Sequence, residues 1–421
     1  MTGAVVLARS AGARTVVGGL PLAARTALAL TRAGVEDVTV VAGARPGLIA
    51  ETLARRPATE QVRCLGGPDF GALRFADTVL VLAGDVLVDE DALARLRVPV
   101  RPGTFRQAGV TTQTGGEPRA LLCPGAGLAV GLAALAGRPE REPTVAGLAE
   151  ALRGIGLAED AAAPVDAGLF VPLDAGESPR GLEARLLDHL ARHTRVGDSY
   201  LAALIDQRLA RPVTRWLLPL PVTPSQITLA SIVVGLAGAA GLASVSYAGR
   251  IAGVLALIVS IVLDCVDGEV ARARYEQSAA GARLDVTGDY VVNLATFLGL
   301  GLGLSRQGLP PAGLWAVLLL VGGVATAMAT MHRFFVQPSL TRGRDLHWAG
   351  DAGSLRGTPF AEVVEKLASR DYTYLLLLGA LAGHLEWFLY AAAGGSWLFV
   401  LAVVWCWAYR RFGRVGAEVL R

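Results

Sequence analysis

Ile251-Ala-Gly-Val-Leu-Ala-Leu-Ile-Val-Ser-Ile-Val-Leu-Asp264-Cys-Val-Asp267-Gly268-Glu-Val-Ala271-Arg272 carries an apolar run straight into two carboxylates, and Gly281, Asp285 and Asp289 follow it. The run from Ile251 to Ala271 is close to the ~20 residues a helix needs to cross a bilayer. A carboxylate inside or beside such a segment is costly and marks a functional site by default. Asp264 and Asp267 are spaced i,i+3, and Asp285 and Asp289 i,i+4, so each pair shares one helix face. Two adjacent helices would therefore point four carboxylates at one place.

Four close carboxylates repel one another unless cations neutralise them. Hard divalent ions such as Mg²⁺ or Mn²⁺ prefer oxygen ligands. A pair of them can clamp a diphosphate and stabilise charge on the attacking and leaving oxygens. Gly268 leaves a ligand room to approach the backbone, Ala271 is small for a related reason, and Arg272 is a permanent cation suited to a phosphate. The stretch reads as a metal–diphosphate site at the cytoplasmic membrane surface. Two other readings stay open: solvated loop charges after a span, and an ion or proton path through a transporter. The transporter reading explains neither Gly268 nor Arg272.

Outward from this stretch, six apolar segments follow one another at roughly 227–247, 251–271, 286–305, 312–331, 373–393 and 396–409. Arg272, Arg274 and Arg283 lie between the second and third. Arg333, Arg342, Arg344, Arg356, Lys366 and Arg370 lie between the fourth and fifth, and Arg410, Arg411, Arg414 and Arg421 follow the sixth. The other loops hold only Arg250 and Arg306, so the positive-inside rule places both termini and the carboxylates in the cytoplasm. Just before the first span, Leu201, Leu204, Ile205, Leu209, Val213, Trp216 and Leu217 fall mostly on one helical face, with Asp206, Arg208, Arg211 and Arg215 mostly elsewhere. Such a segment, Ser199–Leu218, suits a helix lying in the membrane interface.

The front half differs in kind. Of the 421 residues 53% are hydrophobic and 18% charged, an apolar balance that is concentrated after Ile227. Lys366 is the single lysine, and no clustered basic face with interleaved aromatics suggests nucleic-acid binding. Cys64, Cys123, Cys265 and Cys406 have no paired spacing, which argues against a disulfide framework or a zinc site. No basic-then-apolar leader opens the chain, and the front half is expected to stay in the cytoplasm. It reads as strand Ala4–Ala8, a small-residue loop through Arg14, helix Leu22–Ala33, strand Val38–Val41 and strand Thr78–Leu82 ending at Gly84-Asp85. Another strand within Pro164–Pro172 and a helix at Gly181–Arg192 follow. Strands alternating with helices predict a parallel α/β sheet.

The pattern D-x2-D-G-x2-A-R-x8-G-x3-D-x3-D resembles the signature of the CDP-alcohol phosphotransferase (CDP-alcohol phosphatidyltransferase) family. Asp264, Asp267, Gly268, Ala271, Arg272, Gly281, Asp285 and Asp289 match every fixed position. The resemblance covers about residues 198–415 and includes the lead Val222-Thr-Pro-Ser-Gln-Ile-Thr228, similar to the family's T-P-N-Q-I-T with Ser225 in place of Asn. It implies an interfacial helix over 198–218 and a six-helix membrane domain over 222–415. It also implies two Mg²⁺ (or Mn²⁺) ions on Asp264, Asp267, Asp285 and Asp289, with Asp289 as general base. Asp264, Gly268, Ala271, Arg272 and Gly281 would contact the CDP-alcohol. The implied reaction moves a phosphoalcohol group to an acceptor hydroxyl and releases CMP, in phospholipid biosynthesis from a donor such as CDP-diacylglycerol. A di-myo-inositol phosphate synthase-like enzyme using CDP-inositol and inositol phosphate is the alternative. A homodimer in the cytoplasmic membrane is implied as well. Arg283, His332, Arg333 and Arg370 could line an acceptor-phosphate pocket or act as positive-inside anchors.

Within the front domain, expected over 1–195, residues 4–43 resemble sugar-phosphate nucleotidyltransferases, with a Rossmann-like sheet. Their phosphate-cradling loop L-A-A-G-x-G-x-R is matched by Leu7-Ala-Arg-Ser-Ala-Gly-Ala-Arg14 at Gly12 and Arg14, while Arg9 and Ser10 replace small residues. Gly19-Leu-Pro21-Leu22 fits as well, and Gly84-Asp85 resembles the pair whose Asp holds Mg²⁺. The lysine that precedes the G-x-P-L element in that family is absent, so a degenerate, inactive or repurposed domain is expected in preference to an active cytidylyltransferase.

Overall fold

The computed structural model describes residues 3–42, 47–56, 62–66, 78–96, 100–101, 103–109, 118–136, 144–164, 169–173, 178–194, 205–337 and 371–419. The chain divides into two compact units, Met1–His189 with Ala273–Tyr275 and Leu190–Arg272 with Glu276–Arg421.

The first unit is an α/β layer structure. Its strands are β1 (Gly3–Ala8), β2 (Val16–Val17), β3 (Leu20–Pro21), β4 (Asp37–Ala42), β5 (Val62–Leu65), β6 (Thr78–Ala83), β7 (Val86–Val88), β8 (Thr104–Gly109), β9 (Ala120–Pro124), β10 (Ala158–Pro164) and β11 (Phe170–Pro172). Its helices are α1 (Leu22–Arg32), α2 (Gly47–Ala54), α3 (Glu90–Leu96), α4 (Gly125–Ala136), α5 (Val145–Gly154) and α6 (Pro179–Thr194). Seven strands form one sheet in the order β10-β8-β9-β6-β1-β4-β5. β1 is fully buried, and its residues split by the two-residue period. Ala4, Val6 and Ala8 enter one apolar cluster with α1 and α3 residues, while Val5 and Leu7 enter another with Leu128, Leu132, Leu148 and Leu152. Burial on both faces explains why the strand reads as a continuous apolar run. Each buried Val or Leu contributes about 1.5–3 kcal/mol. α1 stops where Gly34 turns to φ 79°, a left-handed conformation that suits glycine.

The expectation of a parallel sheet is corrected in one respect. β1 pairs in parallel with β4 and β6, but β9 runs antiparallel to both β6 and β8. β9 lies in the part of the chain, 101–175, where turn residues and short apolar runs carry no clear period.

The second unit is helical: α7 (Gln207–Leu217), α8 (Pro224–Leu242), α9 (Tyr247–Ala273), α10 (Ala279–Ser305), α11 (Pro311–Met331), α12 (Tyr372–Ala382) and α13 (Leu385–Val419). α8 begins with a reciprocal capping box. The Thr223 hydroxyl accepts from the Gln226 N–H, the Gln226 side chain accepts from the Thr223 N–H, and Pro224 occupies the first turn. α8 and α10 approach almost backbone to backbone. A Cβ at Gly299 would stand 2.2 Å from the Ala239 carbonyl oxygen, and one at Gly303 2.2 Å from that of Leu242. Small residues serve close helix packing where no water drives association.

Among the described residues four helices are long and apolar enough to cross a membrane: Pro224–Leu242, Tyr247–Ala273, Pro311–Phe334 and Leu385–Ala408. Six were expected. α10 has the 27-residue length of α9, but Asp285, Asp289, Asn293 and its glycines interrupt its apolar run and leave it out of that set. α12 has only 11 residues. The expected boundary between 393 and 396 also moves. The chain breaks at Gly383, with φ 74°, and a single 35-residue helix then runs through Gly394 and Gly395. The helix carries on through both glycines, although glycine disfavours helix.

The buried side of α7 is Gln207, Ala210, Thr214 and Leu217, while Leu209 and Trp216 are exposed. Asp206, expected on the polar side, is 2% exposed and accepts a hydrogen bond from the Tyr374 hydroxyl. The expected positions Leu201 and Leu204 lie outside the described residues.

Candidate functional site

The four acidic residues sit on α9 and α10. α9 carries Asp264 and Asp267 one turn apart, followed by Gly268, Ala271 and Arg272. α10 starts at Ala279 because Ser278 caps it: its hydroxyl accepts the Gly281 N–H at 3.0 Å. Asp285 and Asp289 then fall on successive turns.

Asp264, Asp267 and Asp285 each place one carboxylate oxygen so that all three lie within 4.8 Å of one another. Unit charges about 4 Å apart repel by about 4 kcal/mol at an effective dielectric of about 20. Protons or cations must therefore accompany this cluster. Two oxygens on one divalent ion, each at about 2.1–2.5 Å, stand at most about 4–5 Å apart, so the spacing suits shared ligation. Asp285 Oδ1 is buried with no hydrogen-bond partner among the described residues, which leaves it open to a cation or a water. Asp267 is 6% exposed and is oriented by the Thr228 hydroxyl, which donates to its Oδ2. The oxygen-only donor set fits Mg²⁺ or Mn²⁺.

A cleft opens beside the cluster, lined by Asp264, Asp285, Asp289, Ser260, Asn293 and Tyr372 among others. The Tyr372 hydroxyl donates to Asn293 Oδ1. Asp289 is thus in the same cleft as Asp264 and Asp285 but is not one of the three clustered carboxylates. Gly268 has a concrete neighbour: a Cβ there would stand 3.1 Å from Arg272 Nη1, so the guanidinium folds back over the bare residue. The Ala271 carbonyl accepts the Glu276 N–H at 2.8 Å as α9 ends. Gly281 belongs to the cap of α10 and does not line the cleft. Between Gly268 and Arg272, Glu269 is 6% exposed and accepts from the Thr214 hydroxyl of α7 at 2.6 Å.

Of the acceptor-pocket candidates, Arg283, His332 and Arg333 are exposed, and His332 meets Tyr290 edge to face at 6.0 Å. Arg370 lies outside the described residues. Thr228 stands in the lead into the first span but had no role at the site in the sequence, and Asn293 was not among the expected site residues. Asn293 continues the i,i+4 series from Asp285 and Asp289, and that spacing would have found it.

The front unit has an acidic residue of its own. Asp85 is 7% exposed, and its Oδ2 accepts from Arg119 Nη1 at 2.9 Å and from the Ser10 hydroxyl at 3.3 Å. Nearby, Asp89 caps α3 by accepting the Ala92 N–H at 2.7 Å and pairs with His189 Nε2 at 2.7 Å. Burial pushes the Asp89 carboxyl up. Hydrogen bonds from His189 and from the backbone of Ala92 and Leu169 outweigh burial and hold it below the usual carboxylate range. Burial pushes the Cys123 thiol up to about 12. All four cysteines are free thiols.

Residues 221–404 match the family model described as CDP-alcohol phosphatidyltransferase. A curated relative, the bifunctional IPC transferase and DIPP synthase of Rubrobacter xylanophilus, is 39% identical over 97 residues. That match spans 23% of this chain and 22% of the relative. Among solved structures, phosphatidylinositol phosphate synthase of Mycobacterium tuberculosis in apo form is 24% identical, with a TM-score of 0.32 over 47% of this chain and 92% of its own. The inositol-1-phosphate CTP transferase from T. maritima is 11% identical, with a TM-score of 0.36 over 46% of this chain and 97% of its own. Residues 221–404, which bear the carboxylate cluster, form a CDP-alcohol phosphatidyltransferase domain.

Proposed function

We propose that this protein transfers a phosphoalcohol group from a CDP-alcohol to the hydroxyl of an acceptor alcohol and releases CMP. The observation that carries the reading is the cluster of Asp264, Asp267 and Asp285, with the unpartnered Oδ1 of Asp285 and with Asp289 in the adjoining cleft. Asp264, Asp267, Asp285 and Asp289 would hold two Mg²⁺ or Mn²⁺ ions. When bound, these ions neutralise the diphosphate and the charge that develops on the leaving oxygen. The chain's own residues do the rest. Asp289 takes the proton of the acceptor hydroxyl, acting as general base. The resulting alkoxide oxygen forms a bond to the phosphorus distal to cytidine, the P–O bond to CMP breaks, and CMP leaves with that electron pair. Arg272, laid over Gly268, offers its guanidinium to the donor phosphates, and Thr228 holds Asp267 in place.

In this reading the six helices α8 to α13 lie in the membrane and both termini face the cytoplasm. The arginines around α9–α10 and at the C-terminal end support that orientation. The donor is CDP-diacylglycerol, the protein acts in phospholipid synthesis, and it works as a homodimer. A second reading takes CDP-inositol and inositol phosphate. It is favoured by the 39% identity over 97 residues to a relative whose name includes a DIPP synthase. The test offers the purified protein CDP-diacylglycerol or CDP-inositol with candidate acceptors. CMP should appear with Mg²⁺ and stop with EDTA. CMP from no pairing, together with solute or ion movement in vesicles, would favour a transporter instead.

A further inference from the structure

The front unit holds a reversal in its strand order that the proposed reaction leaves unused. β1 is flanked by β4 on one side and β6 on the other, so the direction of winding reverses between β1 and β6. In open α/β sheets ligands bind beyond the carboxyl ends of the strands at such a reversal. Here β1 leads into Arg9 and Ser10, and β6 into Gly84 and Asp85.

That position is filled by the unit's own side chains. Asp85 Oδ2 is taken by Arg119 at 2.9 Å and by Ser10 at 3.3 Å. The loop lies directly on the acid, since a Cβ at Gly12 would stand 2.9 Å from Asp85 Cβ. The strand ends touch as well: a Cβ at Gly84 would stand 2.9 Å from Ala8 Cα and from the Leu7 carbonyl oxygen. Asp85 Oδ1 is buried and has no hydrogen-bond partner among the described residues. A divalent ion needs about six oxygen ligands at about 2.1 Å. It would have to sit against a guanidinium, which never gives up its charge. These residues do not fit a metal.

We propose that the Arg119–Asp85 pair takes the place of a metal ion and holds these strand ends closed, so that the front unit performs no nucleotidyl transfer. Resting on the proposed function, the consequence is that a separate reaction supplies the donor. In that reaction an oxygen of an alcohol phosphate bonds to the α-phosphorus of CTP, the bond to the β-phosphate oxygen breaks, and pyrophosphate leaves. Sequence alone pointed to damage in the loop; Arg119 is the residue that makes the closure specific.

The test uses the full chain in nanodiscs with Asp264→Asn and Asp285→Asn, which remove the helical unit's cluster. Mn²⁺ titrated by electron paramagnetic resonance should show no tight site, and adding Asp85→Asn should change nothing. Bound Mn²⁺ that disappears with Asp85→Asn would overturn the proposal. In the unaltered chain, CTP offered with inositol 1-phosphate, glycerol 3-phosphate or phosphatidic acid should yield no pyrophosphate above a protein-free blank. Asp85-dependent release would overturn it. The pair itself is tested by melting: Arg119→Met should lower Tm, and Asp85→Asn added to it should recover part of the loss. A double variant no more stable than the worse single would overturn the pairing. CMP release from supplied CDP-alcohols is followed in parallel. Its absence would sink the proposed function and leave the front-unit result standing.

Discussion

Asp85 in the front unit and Asp285 in the helical unit each bury a carboxylate oxygen that has no hydrogen-bond partner among the described residues. Their other neighbours are opposite in sign. Asp85 has a guanidinium at 2.9 Å, whereas Asp285 has the carboxylates of Asp264 and Asp267 within 4.8 Å. An acid that carries its own cation is complete without a ligand. A cluster of like charges is not, and it must recruit one. On the proposed reading the contrast separates a pair that closes on itself from a cluster that takes a cation, although the acids in both are aspartates.

The largest effect should come from the helical unit. Asp289→Asn keeps the shape of the side chain and removes the base, so CMP release should fall by about 10²–10⁴-fold, the usual worth of general-base catalysis. Asp285→Asn should abolish tight Mn²⁺ binding in the chain, measured by electron paramagnetic resonance, while Asp85→Asn should leave it unchanged. Equal losses from both would erase the contrast.

Breaking the front pair comes next. Arg119→Met strands a buried carboxylate, and removing one partner of a buried pair costs about 3–5 kcal/mol. Arg119 is about a quarter exposed, so the loss should sit below that range. Calorimetry should show the lower Tm, with CMP release from supplied CDP-alcohol unaltered at temperatures where the variant is folded.

A smaller change sharpens the helical side. Thr228→Val deletes the donor to Asp267 Oδ2 at constant shape, and leaving a buried acceptor unmade costs about 1–3 kcal/mol. The apparent Mg²⁺ requirement in the CMP assay should rise, and excess Mg²⁺ should restore the rate. No shift would mean that Thr228 does not orient Asp267.

The smallest effect concerns the front unit alone. The native state holds the Asp89 carboxyl below its ordinary value of about 3.9. Its contribution to stability is therefore present above about pH 4 and is lost as pH falls through the lower native value. Asp89→Asn should flatten the acid limb of a plot of Tm against pH. A variant that tracks the wild type down to pH 2 would show that the cap and the His189 pair do not carry that stability.

What was legible in the sequence depended on period and spacing. The i,i+3 and i,i+4 carboxylates were readable because a helix repeats every 3.6 residues, and the run from Ala4 to Ala8 was readable because a doubly covered strand is apolar at every position. The reversal of β9 was not, because the stretch that holds β8 and β9 shows no clear period and the pairing with β6 skips β7, α3 and β8. The unbroken helix through Gly394–Gly395 was not legible either, because glycine disfavours helix by only about 1 kcal/mol and a long helix can carry two. Arg119 could not be found at all: 34 residues separate it from Asp85, and a lone arginine reads as surface.

The most direct test of the central claim is CMP release by the purified full-length protein with Mg²⁺, a supplied CDP-alcohol and an acceptor, compared among the wild type, Asp289→Asn and Asp85→Asn. Wild type and Asp85→Asn should release CMP at similar rates, and Asp289→Asn at a rate lower by about 100-fold or more. A wild-type rate from Asp289→Asn, or loss of release with Asp85→Asn, would overturn the proposed function.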